Sequence, residues 1–441
     1  MTPSTPQPPP DAIRASLGAA GIESFRKHIL AKNASRLVPI LALAYVISYL
    51  DRSNVGFAGL TMRKELGLSA TQFGWGAGIF VIGYCAFAVP SNVGLYRLGA
   101  RRWLASIMIA WGLLAGVTAF VVGPRSFYAL RFLLGVAEAG FVPGVVYYLT
   151  LWFPEKFRTQ VLAWFMVALP ISFFVGGPLS GYLVGVNGIF GLSGWQWMFI
   201  VEGVPAGIVG VILFFVLKNE PKDATWLSAE ERGELATVLS EDRSDRASAK
   251  LLDALKDPRV LILTGISFGF TSGSNGIGIW LPQILKDYKL SNVQIGFVSA
   301  VPYFFATVGM LAWAWYVDRT GHRIRNLTGA CLLSAVAFAV SLFFTTILPS
   351  LILFAVALIG ISSARAIFFT VPQRFLTGAA LASGLAFINA VASVGGFVGP
   401  FAVGWLKDKT GNFQSGMLAM ASMLVLATGL SLSLSVLSKE D

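Results

Sequence analysis

Charge, thiols and imidazoles are scarce in this 441-residue sequence: Asp, Glu, Lys and Arg together make up 12%, with two cysteines and two histidines. Soluble domains average about 25% charged residues, so a large soluble catalytic domain is excluded. Cys85 and Cys331 each sit within an apolar stretch, and His28 and His322 lie far apart. That leaves no disulfide framework and no metal-ligand cluster, and no cofactor is expected. A nucleophile motif and a phosphate-binding loop are also missing, which argues against an enzyme. The formal charge of +11 is scattered among hydrophobic stretches, not concentrated on one polar segment, which excludes nucleic acid as a partner. A proline-rich start (Pro3, Pro6 and Pro8 to Pro10) is followed by Asp11 to Lys32, too polar for the core of a signal peptide.

What the sequence does have is apolar length. Twelve spans of about 20 residues need about 240 apolar positions, and 55% of the chain supplies about that number. Runs bounded by charges and turn residues predict membrane helices over 37–57, 73–95, 103–122, 127–149, 160–184 and 197–217. A second set falls at 260–284, 294–316, 326–347, 350–372, 380–404 and 415–436. The expected fold class is therefore an all-α membrane protein with twelve transmembrane helices. Its expected parts are a tail (1–36), a six-helix bundle (37–217), a linker (218–258), a second bundle (259–437) and a short tail (438–441). Within the linker, Ser228 and Glu231 have the spacing of a capping box at the start of a short surface helix.

With the N-terminus placed inside, inner segments hold 23 Lys and Arg residues, outer loops seven, and the spans three. That asymmetry predicts both termini in the cytoplasm. The two sets also repeat each other. Tyr96-Arg97-Leu98-Gly99 and Asp318-Arg319-Thr320-Gly321 are offset by 222 residues, and so are Gly177-Pro178 and Gly399-Pro400. A parallel duplication of this kind places a substrate site near the midplane between the halves, with rocking as the route to alternating access.

Longer motifs carry a family resemblance. They are Tyr49 to Ala58 (YLDRSNVGFA), Pro90-Ser91-Asn92 with Gly99 to Trp103, and Leu130-Arg131-Phe132 through Glu138 to Phe141. Trp152-Phe153-Pro154, Gly194 to Trp197, Ala224 to Leu227 and Gly404 to Asp408 add to these. On these residues the chain resembles a major facilitator superfamily transporter of the anion:cation symporter group. The resemblance implies two six-helix pseudo-repeats, a small organic acid as substrate, and proton symport in a bacterial inner membrane, with the chain acting as a monomer. It implies proton coupling at Asp51 and Glu138. Export or exchange is the runner-up, and a transporter-like nutrient sensor is less favoured because the linker and tails are short.

Charges inside apolar spans cost about 2.5 to 3.5 kcal/mol each on an insertion scale, so each needs a partner, a wet cavity or a function. Asp51, Arg52, Arg131, Glu138 and Arg365 form that set. Arg131 and Glu138 are seven residues apart, which puts them about 10 Å apart along one helix face. Two accounts compete. Asp51 and Glu138 either belong to structural ion pairs or take up and release protons in a gated cavity. Arg52 and Arg131 suit a substrate carboxylate, since guanidinium binds it bidentately, and Arg52 is the stronger candidate because Arg131 can instead pair permanently with Glu138 or Asp51. If a substrate carboxylate and Asp51 compete for Arg52, protonation of Asp51 frees the arginine.

Tyr45, Tyr49, Tyr84, Trp280 and Tyr303, with Asn275 and Asn389, are candidates for the cavity wall, and the resemblance favours Tyr49, Tyr84 and Asn389. Ser272 to Gly276 predicts a break in the seventh span, serving either to open the backbone to the cavity or as a hinge. Glu202 is expected at a lipid-facing position, where it snorkels or contacts a loop. Arg97, Arg101 and Arg102 are candidate gate residues, with Asp318, Arg319 and Arg323 as their second copy. Tyr96 stands where the superfamily commonly has an acidic residue. Arg365 also departs from the family pattern: it either snorkels to the inner surface or pairs with a carbonyl at a helix break, or else it meets a second anionic group on the substrate.

Overall fold

The computed structural model describes residues 19–166, 168–241, 257–376 and 378–437. The proline tract at Pro3 to Pro10, linker residues 242–256 and the tail from 438 lie outside the described residues. Helices dominate the fold. They are α1 (Ala19–Ala58), α2 (Ala70–Leu98), α3 (Ala100–Val117), α4 (Pro124–Glu138), α5 (Phe141–Trp152), α6 (Glu155–Met166), α7 (Ala168–Gly185) and α8 (Gly194–Val216). The linker contributes α9 (Ala229–Glu241). The second set is α10 (Pro258–Lys286), α11 (Asn292–Thr320), α12 (Arg323–Ser341), α13 (Ile347–Phe368), α14 (Gly378–Thr410) and α15 (Gln414–Leu437). Among the described residues, eleven helices are long and apolar enough to cross a membrane, with α4 and α5 counted as one span. The stretch expected as the fifth span is covered by α6 and α7, on either side of residue 167.

Helix boundaries follow local chemistry. Ser69 with Gln72 and Ser291 with Gln294 form capping boxes that satisfy the first amides of α2 and α11. Gly99 and Gly321, which share the 222-residue offset, end α2 and α11 at φ of 80° and 74°, a backbone region that favours glycine.

The first helix starts well before the expected 37. Its 40 residues span about 60 Å, roughly twice the hydrocarbon thickness, so its first third projects from the bundle. The polar residues that look like a tail in sequence are helical because the linker docks against them. Arg26 Nε donates to Glu234 at 2.6 Å, Lys32 Nζ donates to Glu231 at 2.8 Å, and Trp226 Nε1 donates to Asn33 at 2.9 Å. The Ser228 and Glu231 capping box forms at the start of α9. Burial opposes the Glu231 charge, but Lys32 and the Ser228 amide outweigh it and hold the carboxyl below the usual carboxylate range. A depressed folded-state value contributes stability at neutral pH that is lost as pH falls through it. Amide protection in α9, taken relative to the intrinsic exchange rate at each pH, should therefore fall toward acid pH. In Glu231→Gln it should be low already at pH 7, and an unchanged protection profile would show that this clamp does not hold the helix.

The start of α1, the end of α15 and α9 lie at one end of the bundle, here called the linker end. The seams between the first and second sets of helices lie toward the far end. At the seam of α1 and α10, Arg63, in the short helix Met62–Glu65 just after α1, donates from Nη1 to Gln283 Oε1 at 2.7 Å, and a Cβ on Gly56 would meet the Ile279 carbonyl at 2.9 Å. Between α2 and α14, Asp408 accepts the Ala70 and Thr71 amides at 2.9 and 2.7 Å, a carboxylate on a helix N-terminus supplied from the other set. Between α7 and α11, a Cβ on Gly177 would come within 2.6 Å of the Gly296 carbonyl. Gly177→Val should force this seam apart. Spin labels placed across it should then report a longer mean distance than in the parent protein, and an unchanged distance would show that the close approach is not what holds the far end shut.

Candidate functional site

Ser48, Asp51 and Arg52 share one face of α1 at i, i+3 and i+4 spacing, and that face turns toward α3 and α4. There Glu138, 0% exposed, accepts hydrogen bonds from Arg52 Nε at 2.8 Å and from Ser48 Oγ. Its second oxygen, Oε2, has no partner. Asp51 is 1% exposed and accepts from Trp111 Nε1 at 2.9 Å and from Asn54 Nδ2 at 3.1 Å. Arg131, 2% exposed, faces the Asp51 and Glu138 carboxylates but makes no ion pair within 4.0 Å among the described residues. Its guanidinium lies 5.0 Å from the Phe80 ring, with Nε and Nη1 unpartnered. Arg52 thus pairs with Glu138 and not with Asp51, and of the two readings open for Arg131 a direct pair with Glu138 or Asp51 is not seen among the described residues. The cause is side-chain reach: Arg52 extends past its neighbour Asp51 to α4, while Asp51 points at the indole of α3.

Arg52 is held by aromatic rings as well as by charge. Its guanidinium lies 5.1 to 5.5 Å from the rings of Tyr84, Tyr49 and Phe80. Beyond it opens a cavity of about 330 Å³ between the first and second sets of helices. Tyr49 and Arg52 of α1 line one side, and Asn275, Tyr303 and Arg365 of α10, α11 and α13 line the other. Tyr45 is buried behind Tyr49, stacked on Phe165 at 4.4 Å, so it supports the wall without forming it.

A model of the Major Facilitator Superfamily matches residues 41–400, most of the chain. The chain belongs to the major facilitator superfamily. It is thus a multi-pass membrane transporter and not an enzyme. A putative tartrate transporter of Agrobacterium vitis is 46% identical over 415 residues, covering 94% of this chain and 96% of that protein. A quinolone resistance transporter of Acinetobacter baumannii is 40% identical over 419 residues, with 94% and 96% covered. Among solved structures, a bacterial homologue of the human lysosomal transporter Spinster superposes with a TM-score of 0.76 at 15% identity, covering 91% of this chain and 97% of that one.

Several residues singled out from the transporter's sequence lie elsewhere than expected. Glu202 does not face lipid. It is 3% exposed, and Ser180 Oγ donates to it at 2.7 Å. A bilayer has no partner to offer a carboxyl, and α8 turns it inward to polar groups that do. Trp280 is not a wall residue: fully buried, it donates to the Pro400 carbonyl at 2.9 Å and packs between Phe73 and Phe413 in the far-end seam. The predicted break at Ser272 to Gly276 is absent, and α10 runs through it. Ser272 Oγ and Asn275 Nδ2 bond back to the carbonyls of Phe268 and Thr271, so the polar run is satisfied within the helix. Asn389 is exposed on α14 and is not among the residues lining the cavity.

The candidate gate residues all lie at the linker end. Arg97, Arg102 and Asp318 are exposed, and Arg319 stacks on Trp315 at 3.9 Å. Arg101 Nε donates to the Phe214 carbonyl, and Arg323 donates to the Thr370 carbonyl at 3.3 Å. Each of these contacts stays within its own set of helices. Ser48, Asn54 and Trp111 escaped sequence reasoning. The i−3 and i+3 spacing of Ser48 and Asn54 around Asp51 is a weak signal, whereas a tryptophan in an apolar span carries none.

Proposed function

We propose that this transporter imports a small organic anion by proton symport, with alternating access around the cavity between the halves. The observation that carries this is the Arg52 and Glu138 pair at the cavity wall. A buried guanidinium needs an anion, and here it has an internal one that a proton can neutralise. Protonation of Glu138 frees Arg52 for a substrate carboxylate, and release of the proton restores the internal pair and expels the substrate. Asp51, one residue along α1 and facing Arg131, is the second proton site. Tyr49, Tyr84 and Asn275 shape the site around the carboxylate, and Arg131 supplies the field that favours a second negative group nearby.

In this proposal the linker end faces the cytoplasm of a bacterial inner membrane and residues 155–185 complete the twelfth span. The monomer divides into halves at 37–217 and 259–437. Joined at the far end, the halves take the inward-facing arrangement, and the charged residues at the linker end form the gate of the opposite state. The name of the Agrobacterium relatives supports the anion, since tartrate is a small carboxylate. The name of the Acinetobacter relative keeps export as a second reading.

The test is uptake into proteoliposomes across a panel of labelled organic acids, with and without an imposed inward proton gradient. Accumulation above equilibrium only with the gradient is the expected result. Accumulation indifferent to the gradient removes proton coupling, and extrusion driven by proton entry establishes the export reading.

A further inference from the structure

The cavity wall carries two guanidinium groups, Arg52 and Arg365, and no carboxylate among its lining residues. They come from opposite halves: Arg52 from α1, and Arg365 from α13, where the only other embedded side chains are neutral. Arg52 commits Nε to Glu138 and keeps Nη2 unpartnered. Arg365 lines the cavity. Its electrostatic neighbours are Tyr49, across the cavity, and Tyr45 behind it, with the Phe270 ring at 5.9 Å, and none of them is an acid. A guanidinium within a membrane-spanning helix, with aromatic neighbours and no acid partner among the described residues, is costly unless an anion visits it.

Between the two arginines the wall presents hydroxyl and amide groups, those of Ser53, Ser274, Asn275, Thr307 and Ser362. A volume of about 330 Å³ lies at the lower end of the range for ligand sites, about 300 to 1,000 Å³. A monocarboxylate would satisfy one arginine and leave the other facing an apolar group. We infer that the transported anion is a short dicarboxylate, with one carboxylate held by Arg52 and the second by Arg365, so that the substrate bridges the two halves. Hydroxyls along its backbone would meet the polar wall. This rests on the proposal that the cavity is the substrate site of an organic-anion carrier, and it adds what the second half of the protein contributes to it. Arg365 is thereby a specificity residue, drawing a diacid across the seam between halves.

The test uses pairs of acids of matched size that differ in one carboxylate: tartrate with threonate, succinate with butyrate, and phthalate with benzoate. Binding to the purified full-length transporter is measured by ligand-induced thermal stabilisation, and uptake is measured for any acid that binds. In the parent, at least one diacid should bind about tenfold or more tighter than its partner, the scale of one additional charge-assisted contact. Arg365→Met should cut that advantage to near parity. Arg365→Lys keeps the charge and loses the fork, and should retain only part of it. If acids bind or are carried but diacids have no advantage in the parent, or the advantage persists undiminished in Arg365→Met, the inference fails and the transport reading stands. If no acid of either kind binds or is carried, the transport reading itself fails. Should Arg365→Met not fold, Arg365→Lys decides: a reduced diacid advantage supports the inference and an unchanged one overturns it.

Discussion

Glu138→Gln in proteoliposomes is expected to abolish accumulation driven by a pH gradient, and Asp51→Asn to do the same, with substrate exchange surviving in at least one of them. Both replacements preserve shape. At position 138 an amide oxygen can still accept from Arg52 Nε and Ser48 Oγ, the two donors that Glu138 Oε1 now meets. At position 51 an amide oxygen can still accept from the Trp111 indole. What each loses is the ability to change charge. Glu138→Gln leaves Arg52 permanently without an internal counter-ion, so substrate binds but no proton release can restore the pair that expels it. The result that would overturn the assignment is continued concentrative uptake in both variants.

Arg52→Lys is expected to weaken substrate binding about tenfold or more, corresponding to about 1.5 to 3 kcal/mol for a hydrogen bond to a charged group. Guanidinium serves two anions in turn: Nε pairs with Glu138 at 2.8 Å until a proton neutralises that carboxylate, and the freed fork then takes the substrate carboxylate bidentately. An ammonium is a single point donor and cannot hold a carboxylate in that fork geometry. It also changes the cation–π contacts that set Arg52 among Tyr49, Phe80 and Tyr84. Equal affinity for the same acid in parent and variant, measured at equilibrium in detergent, would remove Arg52 from the site.

The sequence was informative wherever the physics is local. Apolar length predicts helices that cross a bilayer, and the helices came out near the expected spans because a backbone in lipid has to bond to itself. The 222-residue repeat likewise marks two helix ends that use glycine in the same way, at Gly99 and Gly321. Embedded charge singled out Asp51, Arg52, Arg131, Glu138 and Arg365, since ionised groups in apolar spans are too costly to be accidental. Alone, the sequence also misjudged α1: residues 19 to 36 are polar enough to pass for a tail, and only docking of α9 accounts for their helix.

Tertiary structure decided the partners. Arg52 meets Glu138 across 86 residues of chain, and Asp51 meets Trp111 across 60. Nothing in helical periodicity says which face of α1 will turn to α4, or that Glu202 will point to α1 and not to lipid. Those choices depend on how glycine-rich helices approach one another, as at Gly177 and Gly296, where the absence of a side chain sets the distance between backbones. The sequence determined which charges had to be compensated, because desolvation is a property of each residue in its span. Only the packing decided what compensates them, because a hydrogen bond between two helices exists or fails within about 1 Å of their mutual placement.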